Sequence, residues 1–230
     1  MVTFKDLGRQ ISYSRVFFWE YFGPMVVYPL FYVFASPIHG GAPFAPGLAQ
    51  NLALLYHTAH YAKRIGETFL VHEFSHGTMP LSNLFKNCAY YWTFAALISY
   101  FINHPLYTSP PRERVVACFS AAAACQLLNA YSHLVLARLR ADGSKGYKIP
   151  YSVVAGFTYV TCANYMWEIL GWACFNGATQ SAMGILFNIV GAAQMAQWAV
   201  AKHARLRKTF DGKEGRPKYP RRWVMLPPFL

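Results

Sequence analysis

Apolar runs that approach the ~20 residues needed to cross a bilayer as a helix constrain this chain more than any other feature. They fall at Val16–Ala35, Asn51–Val71, Ala89–Ile102, Val115–Leu136, Ser152–Cys174 and Met183–Ala201. Charged residues make up only 13% of the chain, against roughly 25% in a soluble domain. The expected fold is all-α: a polytopic integral membrane bundle with six transmembrane helices, or seven if the fifth run is broken. Pro37–Gly47, Gly77–Pro80, His104–Pro111 and Asp142–Pro150 punctuate the runs as loops. Residues 1–230 read as a single transmembrane domain, with 202–230 as a basic cytoplasmic tail.

The net charge is +12, and nine of the 21 Lys and Arg lie between Lys202 and Arg222. Arg138, Arg140, Lys145 and Lys148 form a second basic group. Both groups follow apolar runs, which places them on the cytoplasmic side, where they suit anionic lipid or a phosphorylated ligand. No soluble basic module accompanies them, so nucleic acid is excluded as a partner. The cysteines Cys88, Cys118, Cys125, Cys162 and Cys174 form no C-x-x-C pair and read as small buried hydrophobes.

Against this apolar background, residues 60–80 read HYAKRIGETFLVHEFSHGTMP. An ionisable group within a membrane costs ~2.5–3.5 kcal/mol on insertion scales, so such a cluster marks a functional site. On a helical wheel Leu54, Leu55, Ala59, Ala62, Ile65, Phe69 and Leu70 share one apolar arc. His57, Tyr61, Arg64 and Thr68 line up opposite, beside a stripe of His60, Lys63 and Glu67. Lipid cannot satisfy that polar half, so it faces protein or a watery cavity. Lys63 and Glu67 stand at i, i+4 and are expected to neutralise each other.

His72-Glu73-Phe74-Ser75-His76 fits the zinc-protease pattern H-E-x-x-H. Gly77 and Pro80 follow at once and no third ligand is evident, so no metal is expected and zinc hydrolysis is a remote alternative. A second constellation is Asn164, Tyr165 and Glu168, which a helix brings within mutual reach. Tyrosine is neutral at pH 7 yet able to donate a proton, which suits it to acid catalysis in a membrane. A nearby cation such as Lys63 would ease that donation.

The stretch HYAKRIGETFLVHEFSHGTMPLSNLFKN closely resembles the very-long-chain trans-2-enoyl-CoA reductase family, which is related to the steroid 5α-reductases. Glu20-Tyr21-Phe22-Gly23-Pro24, Gly143-Ser144-Lys145 with Lys148-Ile149-Pro150, and the Asn164-Tyr165 block carry the same resemblance, which runs from Lys5 to Leu230. It implies a multi-pass enzyme of the endoplasmic reticulum membrane that uses NADPH. The implied reaction turns a very-long-chain trans-2-enoyl-CoA into the saturated acyl-CoA, the last step of each fatty-acid elongation cycle, with relatives active in sphingosine breakdown. The implied partners are that substrate, the bilayer and other elongation enzymes. A steroid or polyprenol reductase of the same superfamily is the alternative.

By this resemblance Tyr165 is the proton donor, and Lys63, Glu67 and Glu20 are further catalytic residues. The implied cofactor groups are Asn129, His133, Arg140, Tyr147, Lys148, Asn164 and Glu168, with Lys202 and His203 joining from the tail. Four departures stand out. The ubiquitin-like domain that usually precedes the membrane part is expected to be absent. Cys-Pro-Asn-Tyr appears as Cys162-Ala163-Asn164-Tyr165, a common tail tyrosine is Leu206, and Asp211–Lys218 reads as an insertion before Tyr219-Pro220.

Overall fold

The computed structural model describes residues 8–74, 77–143 and 146–230. Their contacts divide them into two compact units, one ending at Pro110 and the other beginning at Pro111.

The first unit is built on α1 (Tyr13–Val33), the short α2 (Ala35–Ile38), α3 (Leu48–Leu70) and α4 (Ser82–Ile102). α1 packs against both α3 and α4. Two short strands, β1 (Gln10–Ser12) and β2 (Thr78–Pro80), pair antiparallel with Ile11 opposite Met79. This small sheet, with isolated bridges at Val160–Trp223 and Asp211–Lys218, departs from the all-α expectation.

Gly23 permits the close approach of α1 and α4. A Cβ built there would stand 1.9 Å from Nε1 of Trp92. That indole N–H donates to the Trp19 carbonyl of α1 at 3.0 Å.

α3 is an inverted helix. His57, His60, Tyr61, Glu67 and Thr68 are buried, whereas Leu55 is 64% exposed, Phe69 59% and Leu70 86%. The wheel drawn from the sequence therefore has the correct hand and faces. An apolar outer face with a polar inner one is stable only where the surroundings are lipid.

The second unit contains α5 (Arg112–Arg138), α6 (Ala163–Thr179) and α7 (Ala182–Thr209). α6 packs against α5 and α7. The α6–α7 hairpin turns at Gln180, which adopts a left-handed φ of 51°, and Ser181 then caps α7 by accepting from the Gly184 N–H at 3.1 Å.

α4 begins at Ser82, ahead of the expected Ala89, and two further boundaries differ from the sequence reading. The run Ser152–Cys174 is not one helix, because residues 153–159 turn around Gly156, whose φ of +89° is open mainly to glycine. Residues 159–162 then pair in parallel with the C-terminal segment: Thr161 N–H donates to Trp223 O at 2.9 Å and Cys162 N–H to Val224 O at 3.0 Å. At the other end α7 continues through Lys202, His203, Arg205, Arg207 and Lys208 to Thr209, because no helix breaker interrupts it before Gly212.

Asp211–Lys218 closes on itself. Asp211 bridges to Lys218, and both Arg216 Nε and Nη2 donate to the Asp211 carboxylate at 3.1 and 3.2 Å. The Lys213 N–H and the Arg216 guanidinium hold that carboxyl below its ordinary range. The chain returns in register, with Tyr219 N–H donating to Phe210 O at 2.7 Å.

Among the described residues α1, α5 and α7 are long and apolar enough to cross a membrane on length and composition alone. The expected number of crossings, six or seven, is thus met for three helices. α6 has only 17 residues, short of the ~20 needed, and α3 carries its polar stripe.

Gly23→Ala should destabilise the fold by about 1–3 kcal/mol, as overpacking does. Thermal unfolding in detergent reads that loss, and an unchanged midpoint would show that Trp92 yields freely.

Candidate active site

In the first unit the polar face of α3 turns toward α1. Glu67 sits on the buried side near the end of the helix and meets two cations. Arg64 Nη1 donates to Glu67 Oε2 at 2.7 Å, whereas Lys63 Nζ is 3.6 Å from Oε1. The expected Lys63–Glu67 pair is therefore present but is the longer of two. Arg64 also donates through Nη2 to the Tyr21 hydroxyl of α1 at 2.8 Å, and its guanidinium lies 5.0 Å from the Tyr21 ring centre.

Glu20, next to Tyr21, is buried and accepts from Asn87 Nδ2 of α4 at 2.7 Å. Tyr61 packs among Tyr21, Tyr91, His57 and His60. Glu20, Lys63 and Glu67 are thus all brought onto the inner side of one helical unit. Arg64 and Asn87 complete the group. Arg64 was legible on the wheel, but nothing local distinguished it from Lys63 as the shorter partner.

The segment that resembles a zinc motif is not a helix where it is described. α3 ends at Leu70, and His72, Glu73 and Phe74 follow without helical structure. Phe74 is anchored on α1, 5.4 Å from the Phe17 ring and 5.7 Å from Tyr13. The zinc pattern needs its residues on one helical face, which His72 and Glu73 do not supply. His76 lies outside the described residues.

The nine expected cofactor groups all belong to the second unit. Asn129 and His133, one turn apart and buried on α5, stand beside α6, and Asn129 Nδ2 donates to the Asn164 carbonyl at 2.9 Å. Asn164 lies in the first turn of α6 with Tyr165 next to it. The Asn164 side-chain oxygen is buried without a hydrogen-bond donor among the described residues. Tyr165 is half-buried against the cluster of Cys162, Ile169, Ala199 and Met225, with the Trp198 ring centre 6.4 Å away. Glu168 accepts from Trp172 Nε1 one turn further along at 2.9 Å.

His203 is hydrogen-bonded through Nδ1 to the Thr161 hydroxyl at 2.6 Å, and Thr161 is hydrogen-bonded in turn to Tyr219 at 2.9 Å. Tyr147 is exposed and accepts from Arg205 Nη1 at 2.6 Å. Lys148 pairs with Asp142 at 2.6 Å on the surface. Arg140 is half-buried just beyond α5, and Lys202 is half-buried on α7. Lys145 lies outside the described residues. The sequence reading placed Arg205 and Arg222 only within the basic tail and gave Thr161 no role of its own; the partners of these residues lie up to 72 residues away in the chain.

The inverted, charge-lined α3 of the first unit and the long apolar helices α1, α5 and α7 define a helical membrane protein. Residues 77–230 match the model of the 3-oxo-5-alpha-steroid 4-dehydrogenase family. The chain is 48% identical over 227 residues to a very-long-chain enoyl-CoA reductase of Dictyostelium discoideum, covering 99% of this chain and 73% of that protein. It is 39% identical over 234 residues to a protein of Caenorhabditis elegans named as a probable very-long-chain enoyl-CoA reductase, covering 98% and 74%. The chain belongs to the very-long-chain enoyl-CoA reductase family, within the wider steroid 4-dehydrogenase group.

Arg64→Met should cost about 1–3 kcal/mol more than Lys63→Met, because it strands the Glu67 carboxylate without its shorter partner. Adding Glu67→Gln should recover part of that loss. Unfolding in detergent measures all three, and equal losses for the two cation variants would contradict the geometry.

Proposed function

We propose that this chain reduces the double bond of a very-long-chain trans-2-enoyl-CoA, giving the saturated acyl-CoA that ends a fatty-acid elongation cycle. The proposed cofactor is NADPH and the proposed location is the endoplasmic reticulum membrane. Family membership supports the reaction. The observation that carries the site is the buried Asn164 oxygen, which lacks a donor beside Tyr165.

That oxygen suits the carboxamide of a nicotinamide, which offers an N–H. When bound, NADPH supplies the hydride that adds to the β-carbon. Tyr165 donates the proton that completes the α-carbon, because a phenol is still protonated at pH 7. Negative charge builds on the thioester oxygen during the addition, and a donor preplaced there is worth ~2.7–4 kcal/mol.

In the first unit, Lys63 and Arg64, ordered by Glu67 at 3.6 and 2.7 Å, are the cationic groups offered to the polar end of the substrate. Glu20, fixed by Asn87, keeps α1 and α4 in register around it. In the second unit, Asn129 positions the Asn164 backbone, and His133, Glu168, Lys202 and His203 line the same unit. The positive charges of Arg140 and Lys148, with the Tyr147 hydroxyl between them in sequence, suit the cofactor phosphates. The exposed apolar surface of the helices suits the acyl chain and the surrounding lipid.

NADPH absorbance followed with a long trans-2-enoyl-CoA in detergent tests the reading. Turnover should fall about 10²–10⁴-fold in Tyr165→Phe, with NADPH binding retained. Near-native turnover in that variant would refute the role of Tyr165. Faster reduction of a 3-oxo-steroid or a polyprenol than of the enoyl-CoA would refute the substrate.

A further inference from the structure

In the second unit one buried hydroxyl, that of Thr161, is shared by two rings. Its Oγ1 stands 2.6 Å from Nδ1 of His203 on α7 and 2.9 Å from the Tyr219 hydroxyl. The Thr161 N–H donates to the Trp223 carbonyl at 2.9 Å, so the backbone holds the hydroxyl in place. The two rings meet edge to face, with their centres 5.6 Å apart.

The direction of the two bonds follows from their protons. Tyr219 is 8% exposed and Thr161 0%. Burial raises the Tyr219 phenol above its ordinary value, so it keeps its proton at neutral pH. A buried O–H without an acceptor is costly, and such groups are almost always paired. Among the described residues the Tyr219 hydroxyl is hydrogen-bonded to Thr161 alone, so its proton goes to Oγ1. The Thr161 proton then has one acceptor left, Nδ1 of His203.

The other arrangements each strand a proton. If Nδ1–H donated to Thr161 and Thr161 to Tyr219, the phenol proton would have no acceptor. If both rings donated to Oγ1, the threonine proton would have none. A doubly protonated imidazole, which also donates from Nδ1, fails in the same way. An imidazole that accepts at Nδ1 carries its proton on Nε2. His203 is half-buried, and its Nε2 makes no hydrogen bond among the described residues. The ring therefore offers a neutral N–H, not a lone pair, beside the start of α6.

We infer that Thr161 is a positioning residue that locks His203 in the tautomer protonated on Nε2, and so matches the ring to an oxygen acceptor of the dinucleotide. This rests on the NADPH reading above, in which His203 belongs to the cofactor unit. A ligand N–H brought to the same place would meet a donor and find no partner.

Nitrogen-15 NMR of the full chain, labelled at histidine and held in detergent, reads the tautomer without turnover. The His203 signal is the one lost in His203→Gln. At neutral pH the native ring should show a protonated Nε2 and a bare Nδ1. Thr161→Ser, which keeps the hydroxyl, should retain that pattern and native NADPH binding. Thr161→Val, which keeps the shape without the hydroxyl, should mix the two tautomers. Its NADPH binding, read by calorimetric titration, should weaken about 3–10-fold, as loss of one neutral hydrogen bond does.

A native ring protonated on Nδ1, on both nitrogens, or as an even mixture of tautomers would overturn the lock. So would a Thr161→Val protein that keeps the native pattern. Native-strength NADPH binding by a Thr161→Val protein with mixed tautomers would overturn the match to the cofactor. If Thr161→Val does not fold, the native and Thr161→Ser spectra decide. A chain that shows the expected tautomer but never oxidises NADPH with enoyl-CoA would retire the proposed reaction and retain the lock.

Discussion

Everything in the first unit follows from the inversion of α3. A helix that hides His57, His60, Tyr61, Glu67 and Thr68 while exposing Leu55, Phe69 and Leu70 cannot fold this way in water. In lipid the same arrangement is favoured, because polar groups gain partners only by turning inward. The inward groups then dictate what α1 and α4 must offer. Tyr21 receives Arg64, Asn87 holds Glu20, and Gly23 lets the Trp92 side chain come close. The proposed site and the packing therefore share residues, and neither can be altered here without loosening a helix contact.

The second unit solves a different problem. α6 begins with Ala163, and the residues just before it need backbone partners that no preceding helix supplies. The C-terminal segment fills the gap by pairing with residues 159–162, and Met225 follows into the cluster under Tyr165. The start of α6, where Asn164 and Tyr165 stand, is thus held by the far end of the chain. His203, Thr161 and Tyr219 form a second tie between the same segments. Segment Asp211–Lys218 closes its own turn and hands the chain back at Tyr219.

Much of this was legible residue by residue. The 3.6 periodicity of α3 gave its inner and outer faces, and the α4, α5 and α7 runs were found to within several residues at most of their ends. Where the reading slipped, the deciding contact was distant or the local options were equal. Lys63 and Arg64 both reach Glu67 from neighbouring turns, and the Tyr21 hydroxyl on another helix favours Arg64. The apolar run after Pro150 looked like the start of a helix, yet the C-terminal segment and the Gly156 turn claim it. Arg222 was legible only as one charge of the basic tail, because its partners Pro150, Tyr151 and Tyr219 surround it only after folding.

The sequence by itself determined the helical membrane character, the inverted face of α3 and the family, because periodicity and motif spacing are local properties of the chain. Only the tertiary structure decided which cation grips Glu67, where α6 begins and which buried guanidinium meets the Pro150 carbonyl. Those outcomes depend on groups far apart along the backbone, and their geometry exists only once the helices have packed.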